Sequence, residues 1–302
     1  MSEAFTTISA RDNPLLVRLR RLQRSGTVYR KAGELWIEGE HLCSALLARG
    51  RAPSQALISD SAWAQPALRA LAQVAPRVAR VADGLFAGVS ELPSPAGIGF
   101  VVELSAPPLL RPDAASVVLD RVQDAGNVGS ILRSAAALGF SQVLAMEGTA
   151  GLWSPKVLRA AMGSHFALSL IEGLAVDDLR ALQVPLLAAS VQATTQLHEA
   201  RLPFPCAWVF GHEGQGIDAE LAARCALSLR IPPARGFGGA CFFAPSNSSG
   251  TTKSPTSGAR PIILSSSGSA PTSTNARGER APAWSPTGAA CRASSSPSTG
   301  WR

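Results

Sequence analysis

The sequence predicts an α/β protein in two parts followed by a disordered tail. Three observations carry this reading. Short apolar strands alternate with amphipathic helices over the first 232 residues, a proline-rich stretch at 105–113 interrupts the alternation, and composition changes sharply near residue 245. Pro107, Pro108 and Pro112 prevent a helix or a central strand from running through the stretch. The expected organisation is a small α/β domain over 1–106, a larger α/β domain over 107–244, and a Ser/Pro/Gly-rich basic tail over 245–302.

The first element is NPLLVRLRRLQRSG, in which Leu15, Leu16, Leu19 and Leu22 recur at helical spacing while Arg18, Arg20, Arg21 and Arg24 fill the rest of the wheel. That pattern fits a solvated surface helix or one that faces RNA, and by itself it favours the first. ELWIEG then reads as a strand, EHLCSALLARG as a helix ended by Gly50, QALIS as a strand, AQPALRALAQVA as a helix and GIGFVVEL as a strand.

Past the prolines, SVVLD, QVLAM, ALSLI, PLLAAS, AWVFG and LSLRI are the expected strands. NVGSILRSAAALG, SPKVLRAAMG, VDDLRALQ and DAELAARCA are the expected helices. Strands alternating with helices over this length predict a mainly parallel, doubly wound sheet, which binds ligands at the carboxyl ends of its strands.

Composition narrows the functional classes. With 302 residues, 46% hydrophobic, the chain can bury a core, and wholesale disorder is excluded. Net charge is +7, which makes a polyanionic partner a fair expectation. Much of that charge sits in the tail, whose six basic residues and one acid give +5 and leave +2 for the rest. Cys43, Cys206, Cys225, Cys241 and Cys291 form no CxxC pair, and His41, His165, His198 and His212 are equally scattered. Neither a disulfide framework nor a metal site is encoded. With no apolar run long enough for a membrane span and no signal-peptide pattern at the N-terminus, a reduced, cytoplasmic protein is expected.

Two motifs carry chemistry. In QDAGNVGSILRSAAALG the strand SVVLD gives way to a polar turn, Asn127 can cap, and the helix buries Ile131, Leu132, Ala135 and Leu138 before Gly139 stops it. Arg133 lies off that apolar face and reads, from the residues alone, as a solvated helix arginine. FGHEGQGI follows the strand AWVF. Its three glycines, with Glu213 among them, let backbone groups approach a ligand closely. The order GxxGxG is not that of a nicotinamide site, and no P-loop lysine follows.

Together, at this separation, the two motifs resemble those of the SpoU/TrmH family of RNA ribose 2′-O-methyltransferases, with LRIP similar to the start of its third motif. RDNPLLVRLRRL and LWIEGEHL are similar to the small ribosomal-protein-like, RNA-binding domain that precedes the catalytic one in many members. The resemblance covers residues 10–232 and favours the RNA-facing reading of Arg18, Arg20, Arg21 and Arg24. It implies a SPOUT-type parallel sheet with a trefoil knot. It also implies S-adenosylmethionine as cofactor, bound around Gly211, Gly214, Gly216, Ile231 and Pro232. Arg133 would serve as the catalytic group, with Asn127 and Glu213 organising the site; Glu213 would orient Arg133 or be merely a turn carboxylate, and the resemblance favours the first. The implied partner is structured RNA, ribosomal before transfer RNA, and the implied assembly a homodimer if the C-terminal region is intact.

After Pro232 the sequence departs from the family. PARGFGGACFFAPSNSSG contains no Ser-Leu-Asn element opening an apolar helix, and Ser246, Asn247 and Ser248 come too late to supply one. The tail has the bias of GC-rich codons read out of frame after Pro232, and the alternative is a natural disordered basic extension that helps capture RNA; loss of the motif where the composition changes favours the first. An incomplete knot and weak cofactor binding are therefore expected. A catalytically impaired, RNA-binding remnant is the alternative to a working enzyme.

Overall fold

The computed structural model describes residues 5–231, which form two β-sheets with their flanking helices. The first sheet comprises β1 (Phe5–Ile8), β2 (Glu34–Glu38), β3 (Gln55–Ser59), β4 (Val78–Val81) and β5 (Ile98–Glu103), in the order β1-β4-β3-β5-β2. Strands β1, β4 and β3 are parallel, and β5 is antiparallel to β3 and β2. The sequence pattern does not predict β1 or β4. Each has four residues, and FTTI and VARV carry polar side chains that break the apolar run.

Helix α1 (Pro14–Arg24) starts where its sequence says it should. Pro14 occupies the first turn, and the Leu15 N–H donates to Asn13 Oδ1 at 2.9 Å. Its Leu16, Leu19 and Leu22 pack with Trp36, Leu57 and Phe86, which leaves Arg18, Arg21 and Arg24 exposed. The remaining helices of this part are α2 (Val28–Ala32), α3 (Glu40–Ala48), α4 (Asp60–Trp63), α5 (Pro66–Ala72) and α6 (Asp83–Ala87).

The second sheet is built from β6 (Ser116–Leu119), β7 (Gln142–Met146), β8 (Ser169–Leu174), β9 (Leu186–Ala189), β10 (Thr195–Gln196), β11 (Ala207–Phe210) and β12 (Leu227–Arg230). Its order is β10-β12-β9-β11-β6-β7-β8, and every pairing is parallel. All five residues of β7 are buried, as a parallel strand covered on both faces requires. Helices α7 (Ala125–Ala137), α8 (Pro155–Ala161) and α9 (Ala219–Ala223) flank it. Buried Gln142 fixes the chain that enters the sheet: its Oε1 accepts from the Arg111 N–H at 3.1 Å, and its Nε2 donates to the Arg111 carbonyl at 2.8 Å.

Two expectations are corrected. VDDLRALQ forms a 3-10 helix over Val176–Ala181, where the Ala175 N–H donates to Asp178 Oδ2 at 2.8 Å and tightens the turn. Leu138 is 71% exposed, not buried, because α7 ends there: Gly139, at φ 80°, reverses the chain and leaves Leu138 beside the helix, off the core face.

The two sheets are joined by a common core, in which Leu35, Leu42 and Leu46 meet Val128, Leu132, Trp153 and Phe166 in one buried cluster. Helices α7 and α8 cross at Gly129, where a Cβ would fall on Ala160. Glycine is needed there by the close approach of the helices. The knot implied by the resemblance would be closed after Ile231, and those residues lie outside the described ones.

Candidate active site

Strands β6 and β11 are neighbours in register, with Leu119 opposite Phe210. The segments that follow them therefore leave the carboxyl edge of the sheet side by side, although Asn127 and Glu213 are 86 residues apart in sequence. This is where a parallel α/β sheet offers a ligand crevice.

The loop after β11 is closed on itself. The His212 N–H donates to the Gly216 carbonyl at 3.0 Å and the Gly216 N–H returns to the His212 carbonyl at 2.8 Å. The His212 ring seals the turn, its Nδ1 accepting from the N–H groups of Gly214 at 2.9 Å and Gln215 at 3.2 Å. Gly216 has φ 75°, a conformation that favours glycine. At Gly211 a Cβ would fall on the backbone of Gly216 and Ile217. Closure of the loop, not space for a ligand, accounts for glycine at 211.

Glu213 points from this loop to the start of α7. Its carboxylate accepts from the backbone N–H groups of Gln123 at 3.2 Å and Asp124 at 3.1 Å, and from Asn127 Nδ2 at 3.1 Å. Partial burial works against the charged form. Donation by Asn127 and by the backbone N–H groups of Glu213, Asp124 and Gln123 outweighs it and holds the carboxyl below its ordinary range. A carboxylate can only accept here, so the Asn127 amide nitrogen must face it and the amide oxygen must face away.

The α7 terminus also differs from expectation. Asp124 is its N-cap: the Asn127 N–H donates to Asp124 Oδ1 at 2.7 Å, which puts Asn127 in the first turn and frees its side chain for Glu213. The expected pairing of Glu213 with Arg133 is absent among the described residues, where the carboxylate is taken up by Asn127 and the α7 turn. Arg133 is exposed and has no ion pair among the described residues.

Sequence reasoning missed a second link between the loops. Buried Asp120 accepts from Arg121 Nε at 2.8 Å and from the Asp218 N–H at 2.6 Å, while Arg121 Nη1 donates to Gln215 Oε1 at 3.2 Å. Arg121 sits at φ 56°, a conformation that costs a non-glycine residue about 1–3 kcal/mol. The signal was an acid directly after the buried strand SVVL.

Behind the loop lies a cavity of about 340 Å³, lined by Ser190, Gln192, Gly211, Gly216, Ile217 and Ser228 among others, at the ends of β9, β11 and β12. Glycines, Ser and Ala line it together with Gln192, His212 and Gln215, and a Cβ at Gly216 would meet nothing within 4 Å. The lining and volume fit the small-ligand pockets of proteins, which start at about 300 Å³. Ile231 is not part of it. Half-exposed Ile231 instead lines an apolar groove of about 470 Å³ along α7, with Ile131, Leu138, Leu202, Trp208 and Phe210. Pro232 lies outside the described residues. On α1, Arg18 pairs with Glu34 at 3.2 Å and Arg20 Nη2 donates to the Arg11 carbonyl at 2.7 Å, whereas Arg21 and Arg24 have no ion pair among the described residues.

Residues 114–237 match the model of the SpoU rRNA Methylase family. The chain is 31% identical, over 67% of its length and 81% of the relative's, to the 23S rRNA (guanosine(2553)-2'-O)-methyltransferase of Bacillus subtilis. It is 30% identical, over 78% of its length and 88% of the relative's, to an uncharacterised tRNA/rRNA methyltransferase of Synechocystis. Among solved structures, an RNA 2'-O ribose methyltransferase superposes with a TM-score of 0.64 at 26% identity, covering 76% of this chain and 90% of that one. The AdoMet-bound rRNA methyltransferase from Sinorhizobium meliloti superposes with a TM-score of 0.69 over 79% and 93%, and at 23% identity shares the fold.

Proposed function

The chain belongs to the SpoU rRNA Methylase family, and we propose that it methylates the 2′-hydroxyl of a ribose in structured RNA, ribosomal before transfer RNA, in the cytoplasm. The observation that carries this reading is the Asn127–Glu213 junction. It joins the two motif loops at the carboxyl edge of the sheet, beside a cavity lined in part by Gly211, Gly214 and Gly216.

S-adenosylmethionine, held in the cavity at Gly211, Gly214 and Gly216, supplies an electrophilic methyl group. The protein supplies position and charge. Glu213 fixes the Asn127 amide so that its oxygen can accept from the ribose hydroxyl. Arg133, an unpaired guanidinium among the described residues, stabilises the alkoxide that develops on that oxygen and anchors a neighbouring phosphate. Arginine stays protonated at any working pH, so water or an RNA oxygen takes the proton. Arg18, Arg20, Arg21 and Arg24 contribute phosphate contacts from α1. The implied dimer and knot both depend on the chain beyond Ile231.

A second reading is favoured by one observation: the sequence after Pro232 contains no Ser-Leu-Asn element like that of the family's third motif. On that reading the chain binds RNA and holds S-adenosylmethionine weakly. Calorimetric titration of the full chain with S-adenosylmethionine separates the two. Micromolar binding supports the enzyme, and no heat at millimolar cofactor supports the remnant.

A further inference from the structure

Helix α2, which follows α1, and the segment that leads into α8 are held together by one carboxylate. Glu172 accepts from the Tyr29 hydroxyl at 2.7 Å, from Arg30 Nη2 at 3.0 Å and from the Leu152 N–H at 2.8 Å. Tyr29 and Arg30 belong to α2, directly after α1, and Leu152 precedes α8. The contact is close: a Cβ at Gly151 would come within 2.7 Å of both the Gly26 carbonyl and the Tyr29 hydroxyl, and one at Gly26 within 3.7 Å of Ser154. Gly26 lies two residues past Arg24, and Ser154 two residues before Lys156. Arg24 and Lys156 are both exposed, each two residues from that contact and on different helices.

Helix α8 continues the line to the candidate active site. Gly129 of α7 meets Ala160 of α8 at their crossing. Arg133 lies four residues after Gly129 and Lys156 four before Ala160, so each is about one turn from the crossing, and both are exposed.

We propose that Lys156 is an RNA-binding residue, a phosphate contact on α8 that carries the RNA backbone from Arg24 of α1 to Arg133 and Asn127 of α7. The inference rests on the RNA reading given above and adds to it the path by which RNA bound at α1 reaches the reacting face.

The test measures binding of the full chain to a 23S rRNA transcript as a function of salt. One phosphate contact contributes about 0.9 to the slope of log affinity against log salt. Lys156→Gln should flatten the slope by that amount, so that the affinity lost between about 50 and 200 mM salt shrinks roughly threefold. Lys156→Arg should restore it, and Arg77→Gln, a charge removed from the first sheet, should leave it unchanged. A steep slope in the unmodified chain that Lys156→Gln does not change overturns the path while leaving the RNA reading intact. Equal flattening by Arg77→Gln overturns it as well, because the effect is then one of net charge. A salt-independent unmodified chain overturns both the RNA reading and the path.

Discussion

The loop junction at Glu213 and the groove along α7 lie on the same sheet and differ in how completely they are satisfied. At the junction, Glu213 and Asp120 each accept several hydrogen bonds, and the two motif loops close on each other within the described residues. Along the groove, Leu138 is 71% exposed, Leu202 45% and Ile231 53%. Among the described residues the polar junction is satisfied by hydrogen bonds, whereas the separate groove presents exposed apolar side chains.

Removing the junction should have the largest effect. Glu213→Ala leaves the N–H groups of Gln123 and Asp124 and the Asn127 amide without an acceptor, and should cost about 1–3 kcal/mol in urea unfolding. Methyl transfer should be abolished at the same time. An unchanged midpoint and unchanged turnover would mean the junction organises nothing.

Arg133→Ala sharpens the comparison by separating chemistry from stability. An exposed helix arginine contributes little to folding, so the melting temperature should stay within experimental error. Turnover should fall by about 10² to 10³, the effect of removing one preorganised donor to a developing oxyanion. Near-normal turnover would return Arg133 to an ordinary surface role.

The junction should also respond to pH. Folding depresses the pKa of Glu213, so its contribution to stability is present above the unfolded value of about 4.5 and is lost as pH falls through the lower folded value. The stability gap between the unmodified chain and Glu213→Gln should therefore be widest near neutral pH and close in acid. A gap that persists in acid would mean the charged carboxylate is not what the turn holds.

The smallest effect belongs to the groove. Leu138→Ser should change stability by less than about 0.5 kcal/mol, because the side chain is already in water. It should raise solubility, measured by light scattering. A large destabilisation would show the groove to be covered.

Much of this was legible in the sequence, and the failures have physical causes. The buried parallel strands were read because runs such as QVLAM are apolar on both faces. The two motif loops were read from their glycines. Asn127 was misread as a cap because Asp124, three residues earlier, fits the same role, and only the fold shows which one α7 uses. The partner of Glu213 could not be read at all, since it depends on Leu119 lying opposite Phe210 across a sheet. Arg133, the expected partner, is exposed. Strands β1 and β4 were missed because each is stabilised by its neighbour's pairing, with little apolar pattern of its own.

The central claim is that this junction directs methyl transfer to a ribose oxygen. Its most direct test incubates the full chain with tritiated S-adenosylmethionine and a 23S rRNA transcript, then hydrolyses the RNA in alkali. Methylation of a 2′-hydroxyl blocks cleavage at that nucleotide. The account predicts slow incorporation, because of the altered sequence after Pro232, with the label in alkali-resistant dinucleotides and lost in Arg133→Ala. Label released as mononucleotides would place the methyl group on a base and contradict the account.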